Sequence, residues 1–86
     1  MSEICINHDI HVSHFFYDGD VMCRGNFSVD TDVAITGKLM VLKDISIRGD
    51  CGVEELFCGG NIDIAGYLFC SKFSCSSDVK VGYSIK

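Results

Sequence analysis

The 86-residue sequence contains no proline and no tryptophan. Without proline every residue keeps its backbone N–H, which suits strands that must pair along both edges. Positive charge is scarce: seven Lys and Arg stand against twelve Asp and Glu, for a net charge of −5. Nucleic-acid binding is driven by cations that displace counterions from phosphates, so this balance argues against direct contact with DNA or RNA. Long apolar runs are missing too. The longest reach four residues, as at Leu39-Met40-Val41-Leu42, far short of the ~20 residues that span a bilayer as a helix, and no transmembrane segment is expected. No basic stretch precedes an apolar one near the N-terminus, where Glu3 and Asp9 interrupt the pattern, so no signal peptide is expected. The six cysteines are then expected to be reduced thiols in a cytoplasmic protein. Nucleophile-elbow, zinc-protease, phosphate-loop and dinucleotide fingerprints do not occur, and no CxxC spacing exists. No enzymatic activity and no cofactor are expected.

What is present is a repeat. A hydrophobic share of 48% with 22% charged residues excludes a disordered chain, and the length suits one domain, residues 1–86. An apolar–any–apolar triplet recurs about every six residues along the chain, the signature of short strands alternating in and out. Every third triplet falls into one of three columns with a spacing of 17 or 18 residues. The first runs Ile4, Val21, Leu39, Leu56, Phe73, followed two places on by Ile6, Cys23, Val41, Cys58, Cys75. The second runs Ile10, Phe27, Ile45, Ile62, Val79, with Val12, Val29, Ile47, Ile64, Val81 beside it. The third is less regular: Phe16, Val33, Cys51, Tyr67 and Ile85, paired with Asp18, Ile35, Val53 and Phe69.

Before the second column stands Asp9, Asn26, Asp44, Asn61 and Asp78, five occurrences of [DN]-[IFV]-x-[VI]. Asp and Asn bond their own backbone two residues on and tolerate tight conformations, so this column predicts a corner between two strands. Gly25, Gly37, Gly49, Gly60 and Gly66 lie between strands, where positive φ is the expected reason for glycine. Together these signals predict an all-β, three-faced parallel β-helix of about five coils, 17–18 residues per coil. By the ~4.8 Å spacing of paired strands it is a prism about 24 Å long. Its end coils each leave one edge of the ladder unpaired.

The steps Asp18-Gly19-Asp20-Val21, Arg24-Gly25-Asn26-Phe27, Arg48-Gly49-Asp50-Cys51 and Gly59-Gly60-Asn61-Ile62, set between short Val- and Ile-rich strands, resemble the bactofilins. That resemblance covers nearly the whole chain. It implies a right-handed three-faced β-helix that polymerises end to end into cytoskeletal filaments without nucleotide. The hexapeptide acyltransferases share a six-residue period but carry a small residue four places after the aliphatic. Here those places hold His8, Gly25, Lys43 and Gly49, so that match fails.

Among candidate functional groups, His8, His11 and His14 are spaced by three and, with Asp9 or Asp18, have the chemistry of zinc ligands. On successive positions of a coil they need not converge, and solvated histidines are the stronger reading; no metal site is assigned. Cys23, Cys58 and Cys75 are expected inside as small hydrophobes, and Cys5 and Cys70 outside as the reactive thiols. Arg48-Gly49-Asp50 sits at a corner that needs Gly and Asp in any case. The outward column of the second face, His11, Ser28, Ser46, Asp63 and Lys80, is polar, whereas that of the first face is Cys5, Met22, Met40, Phe57 and Ser74 with Leu42 alongside. An exposed stripe of Met22, Met40, Leu42 and Phe57 predicts a protein interface. The expected function is a non-enzymatic scaffold that forms a homo-oligomer or filament through this face and through open ends. The alternative is a small acidic binding protein that occludes a basic nucleic-acid site on a partner.

Overall fold

A computed structural model describes residues 2–86, with Met1 outside the described residues. The first coil holds β1 (Ser2–Ile6), β2 (Ile10–Val12) and β3 (Phe15–Tyr17), and the second holds β4 (Gly19–Cys23), β5 (Phe27–Val29) and β6 (Val33–Ile35). The third holds β7 (Lys38–Val41), β8 (Ile45–Ile47) and β9 (Cys51–Gly52), and the fourth β10 (Glu55–Cys58), β11 (Ile62–Ile64) and β12 (Leu68–Phe69). The fifth contributes β13 (Lys72–Cys75), β14 (Val79–Val81) and an isolated bridge from Ile85 to Leu68. There is no helix among the described residues.

The strands form three parallel sheets, ordered β1-β4-β7-β10-β13, β2-β5-β8-β11-β14 and β3-β6-β9-β12. The fold is a three-faced parallel β-solenoid of about five coils. Inward residues of consecutive coils stack directly: Val21 pairs with Leu39 and Leu39 with Leu56, all at most 2% exposed. Phe27, Ile45 and Ile62 stack likewise on the second face. One coil has no apolar partner for its own interior; each layer is dry because another lies on it.

The third column is corrected in its phase. Phe15 and Tyr17, not Phe16 and Asp18, pair with Val33 and Ile35. In the fourth coil Leu68 takes the place predicted for Tyr67 and is fully buried, leaving Phe69 outside at 43% exposure. The segments Phe15-Phe16-Tyr17 and Tyr67-Leu68-Phe69-Cys70 are apolar throughout, so alternation carries no phase there. Packing decides: the branched Leu68 fills the interior and the larger rings go out. The same slip turns Cys70 toward the core, against which it packs half-buried, instead of outward.

The corner residues work differently from an Asx turn. Each side chain accepts from the coil above: Asp9 Oδ1 from Asn26 N–H (2.7 Å), Asn26 Oδ1 from Asp44 N–H (3.1 Å), Asp44 Oδ1 from Asn61 N–H (2.9 Å) and Asn61 Oδ1 from Asp78 N–H (3.1 Å). The other corners repeat the device. Asp20 receives Lys38 N–H, Asp32 receives Asp50 N–H and Asp50 receives Tyr67 N–H, all at 2.8–2.9 Å. These bonds satisfy backbone donors that the chain's bend removes from the sheets.

Glycine enters through the same geometry and not through positive φ, which among the described residues belongs to Gly19 alone. A Cβ on Gly60 would run into the Asp44 carboxylate and lie 2.9 Å from the Lys43 carbonyl oxygen. A Cβ on Gly52, by contrast, would lie 3.8 Å from the Val33 carbonyl oxygen, an ordinary contact. Gly60→Ala is therefore expected to lower unfolding stability by about 2–4 kcal/mol and Gly52→Ala by less than about 1 kcal/mol. Asn61→Leu, which strips Asp78 N–H of its acceptor, is expected to cost about 1 kcal/mol, against about 0.5 kcal/mol or less for Ser46→Ala. Urea unfolding of the four variants checks both pairs; equal losses within either pair contradict the corner geometry.

Candidate interaction surface

Strict pairing in the first sheet builds a regular grid on its outer side. The central column runs Cys5, Met22, Met40, Phe57, Ser74 in direct register. Met40 and Phe57 are 40% and 38% exposed, Met22 is half-buried, and Leu42 is 39% exposed. On one side lies the charged column Glu3, Asp20, Lys38, Glu55, Lys72. Within it Lys38 Nζ stands 3.7 Å from a Glu55 carboxylate oxygen. On the other side the ladder continues through Arg24 to Ile6, Leu42 to Cys23, Gly59 to Val41 and Ser76 to Cys58, which places Arg24, Leu42, Gly59 and Ser76 in a third column. A shallow groove of about 350 Å³ runs over this face between Lys38, Met40, Glu55, Phe57, Lys72 and Phe73. Met22, Met40, Leu42 and Phe57 thus share one outer face. Its apolar centre has a continuous charged border on one side and a single charge, Arg24, on the other.

The second face, in contrast, carries His11, Ser28, Ser46, Asp63 and Lys80 in register. The third face holds an aromatic group that alternation could not reveal, because its phase was hidden. Tyr67 lies 5.8 Å from Phe69 and 5.0 Å from Tyr83, ring centre to ring centre, with Lys86 Nζ 5.1 Å over the Tyr67 ring. A cation above a ring is a modest, partly solvated attraction.

The three histidines go to three different partners. His8 Nδ1 is 2.7 Å from the Asp9 carbonyl oxygen, His11 Nε2 is 2.8 Å from Asp30 Oδ1, and the His14 ring stacks on Phe16 at 5.2 Å. Among the described residues no three His, Cys, Asp or Glu side chains are grouped to hold a metal ion. Arg48-Gly49-Asp50 is consumed by its corner: Asp50 donates its N–H to Asp32 and accepts from Tyr67 N–H. The corner residues Asp9, Asp20 and Asp44 each accept a backbone N–H of the next coil on one carboxylate oxygen.

The inward cysteines contribute more than apolar volume. Cys58 donates its S–H toward the Lys43 carbonyl at 3.0 Å, and Cys75 toward that of Gly60 at 3.0 Å. These are carbonyls of the preceding coil at the Asx corner. Burial pushes the Cys51 thiol up to about 12, and also raises Cys23, Cys58 and Cys70. A thiolate is the nucleophile toward alkylating agents. In the native protein at pH 8, iodoacetamide is expected to label exposed Cys5 and to spare Cys51, as mass spectrometry of the labelled chain reads directly.

The same proton has a stability consequence. Between about pH 9 and pH 12 the unfolded chain has lost the Cys51 proton and the folded chain retains it, so folding takes up a proton and stability falls as pH rises. The contribution is complete below the unfolded thiol value and lost by about pH 12; it amounts to roughly 4 kcal/mol. Replacing Cys51 with Ala is expected to flatten the alkaline fall in melting temperature.

Comparison with family models, with curated proteins and with solved structures finds no match to this chain.

Proposed function

We propose that the protein is a non-enzymatic scaffold module that associates with further copies of itself through the outer face of the first sheet, an assembly of bactofilin type. The observation that carries this reading is the contrast between equivalent columns. Ser28 and Ser46 occupy the places on the second face that Met22 and Met40 occupy on the first. Nothing in the coil geometry demands methionine or phenylalanine there, and a contiguous apolar stripe costs solubility unless a partner covers it. Methionine adapts its shape to an opposing surface at little cost.

The coil edges supply a second surface of the same kind. In the fifth coil Phe73 and Val79 are 41% and 39% exposed, whereas Leu56 and Ile62, one coil below in the same columns, are nearly fully buried. A further coil laid on β13 and β14, whichever chain supplies it, would bury both side chains and pair both strands.

Changing Met40 and Phe57 together to Lys is expected to leave the far-UV strand spectrum and the melting temperature nearly unchanged, since both side chains point outward, and to lower the mean mass of the assembly in light scattering. A wild-type protein that is monomeric at every concentration, with the double variant identical to it, overturns the scaffold reading.

A further inference from the structure

The charges beside the apolar column specify how two copies meet. Along the prism the border column reads Glu3, Asp20, Lys38, Glu55, Lys72: negative, negative, positive, negative, positive. Two identical faces pack about a two-fold axis lying in the plane between them, and the direction of that axis decides which columns touch.

If the axis runs along the prism, the charged border of one copy meets the Arg24-Leu42-Gly59-Ser76 border of the other. Only Asp20 then finds an opposite charge, at Arg24, and Lys38 is laid on Leu42. If the axis crosses the prism, charged border meets charged border with the order of coils reversed. Centred on the third coil, this sets Lys38 on its own copy and Asp20 on Glu55, three contacts of like charge, against opposite charges only at the two outer contacts of Glu3 with Lys72. Centred between the third and fourth coils, it sets Lys38 on Glu55 and Asp20 on Lys72, opposite charges at each of four contacts. The same register places Met40 on Phe57 of the second copy, and Leu42 over Gly59, where no side chain obstructs it.

We infer that the first face is the contact of an antiparallel two-fold homodimer, its axis passing between the Met40 and Phe57 rows. This rests on the scaffold reading and deepens it by naming the occupant and the register. Opposite charges at a rim select among registers more than they add affinity. In this register the Lys38–Glu55 ion pair of each copy joins that of the other in an alternating group of four.

The footprint sets the strength. Four rows at ~4.8 Å and three columns at ~6.6 Å cover roughly 19 by 20 Å, well under the ~800 Å² per partner of a standard stable interface. The contact alone therefore holds a weak dimer, in roughly the 10 µM to 1 mM range, and becomes strong when repeated along an assembly.

The test is a charge swap divided between two chains. Lys38→Glu sets carboxylate against carboxylate in its own homodimer, and Glu55→Lys sets ammonium against ammonium. Each variant alone is expected to dissociate at least about tenfold more readily than wild type in sedimentation velocity at up to ~1 mM. Mixed one to one, the introduced carboxylate at position 38 of one chain faces the introduced ammonium at position 55 of the other. The two remaining native charges face each other as well. The mixture is expected to return to within about threefold of the wild-type dissociation constant. Both positions lie on the surface, and unchanged circular dichroism spectra confirm that the chains fold. If wild type associates while the mixture stays as weak as its components, the antiparallel register is wrong and the scaffold reading stands. If wild type is monomeric across the range and the face binds only a different protein, both fall.

Discussion

The structure depends on the corner bond in which a side-chain oxygen of one coil accepts the backbone N–H of the next. A parallel solenoid must turn three times per coil, and at each turn the backbone leaves a sheet and its amide loses a strand partner. Asp and Asn supply the missing acceptor from below, so a coil is completed only when another lies on it. The bond also fixes where glycine stands. Asp9, Asp20, Asp32, Asp44 and Asp50 lie beneath Gly25, Gly37, Gly49, Gly60 and Gly66, each glycine directly preceding the residue whose N–H is received. Above Asn26 and Asn61 the equivalent places hold Lys43 and Ser77. The carboxylate bonds measure 2.7–2.9 Å and the amide bonds 3.1 Å. A charged acceptor draws its donor closer, and at the closer approach a Cβ no longer fits.

Most of this architecture was legible in the sequence because the repeat signals itself twice, in the inward triplets and in the Asx column. Register followed wherever polar residues separate the apolar ones, as at Ile45-Ser46-Ile47 and Ile62-Asp63-Ile64. It failed at Phe15-Phe16-Tyr17 and Tyr67-Leu68-Phe69-Cys70 for a physical reason: a period of two needs contrast, and these segments have none. Only three-dimensional packing distinguishes Leu68 from its aromatic neighbours. The glycines show a second kind of gap. Their positions were visible, but their cause lies 16 or 17 residues away, in a carboxylate that local turn rules do not consider. The pairing of each Asp with a later Gly was the signal that could have found it.

The candidate surface was legible for the opposite reason. Met22, Met40 and Phe57 are isolated between inward residues of clear phase, so once the coils are assigned their exposure follows without ambiguity. The aromatic group of Tyr67, Phe69 and Tyr83 escaped notice because it falls where the phase is lost.

A solenoid separates the duties of its residues more cleanly than most folds. Inward columns make the dry interior, corner columns satisfy the turning backbone, and outward columns are left with neither task. In the inward column ending at Cys75, sulfur does some of the corner's work as well, since Cys58 and Cys75 reach the carbonyls of the coil beneath while Val41 in the same column cannot. The outward columns therefore report on something other than stability. On the second face they contain serine, aspartate, lysine and histidine, the composition that water alone selects. The first face was free to do the same and does not: it exposes Met40 and Phe57 in one column and Leu42 in the next. In the proposed dimer the apolar column is covered by the same column of a second copy. The alternating Lys38, Glu55 and Lys72 beside it are then the part of the face that decides which surface, and in which direction.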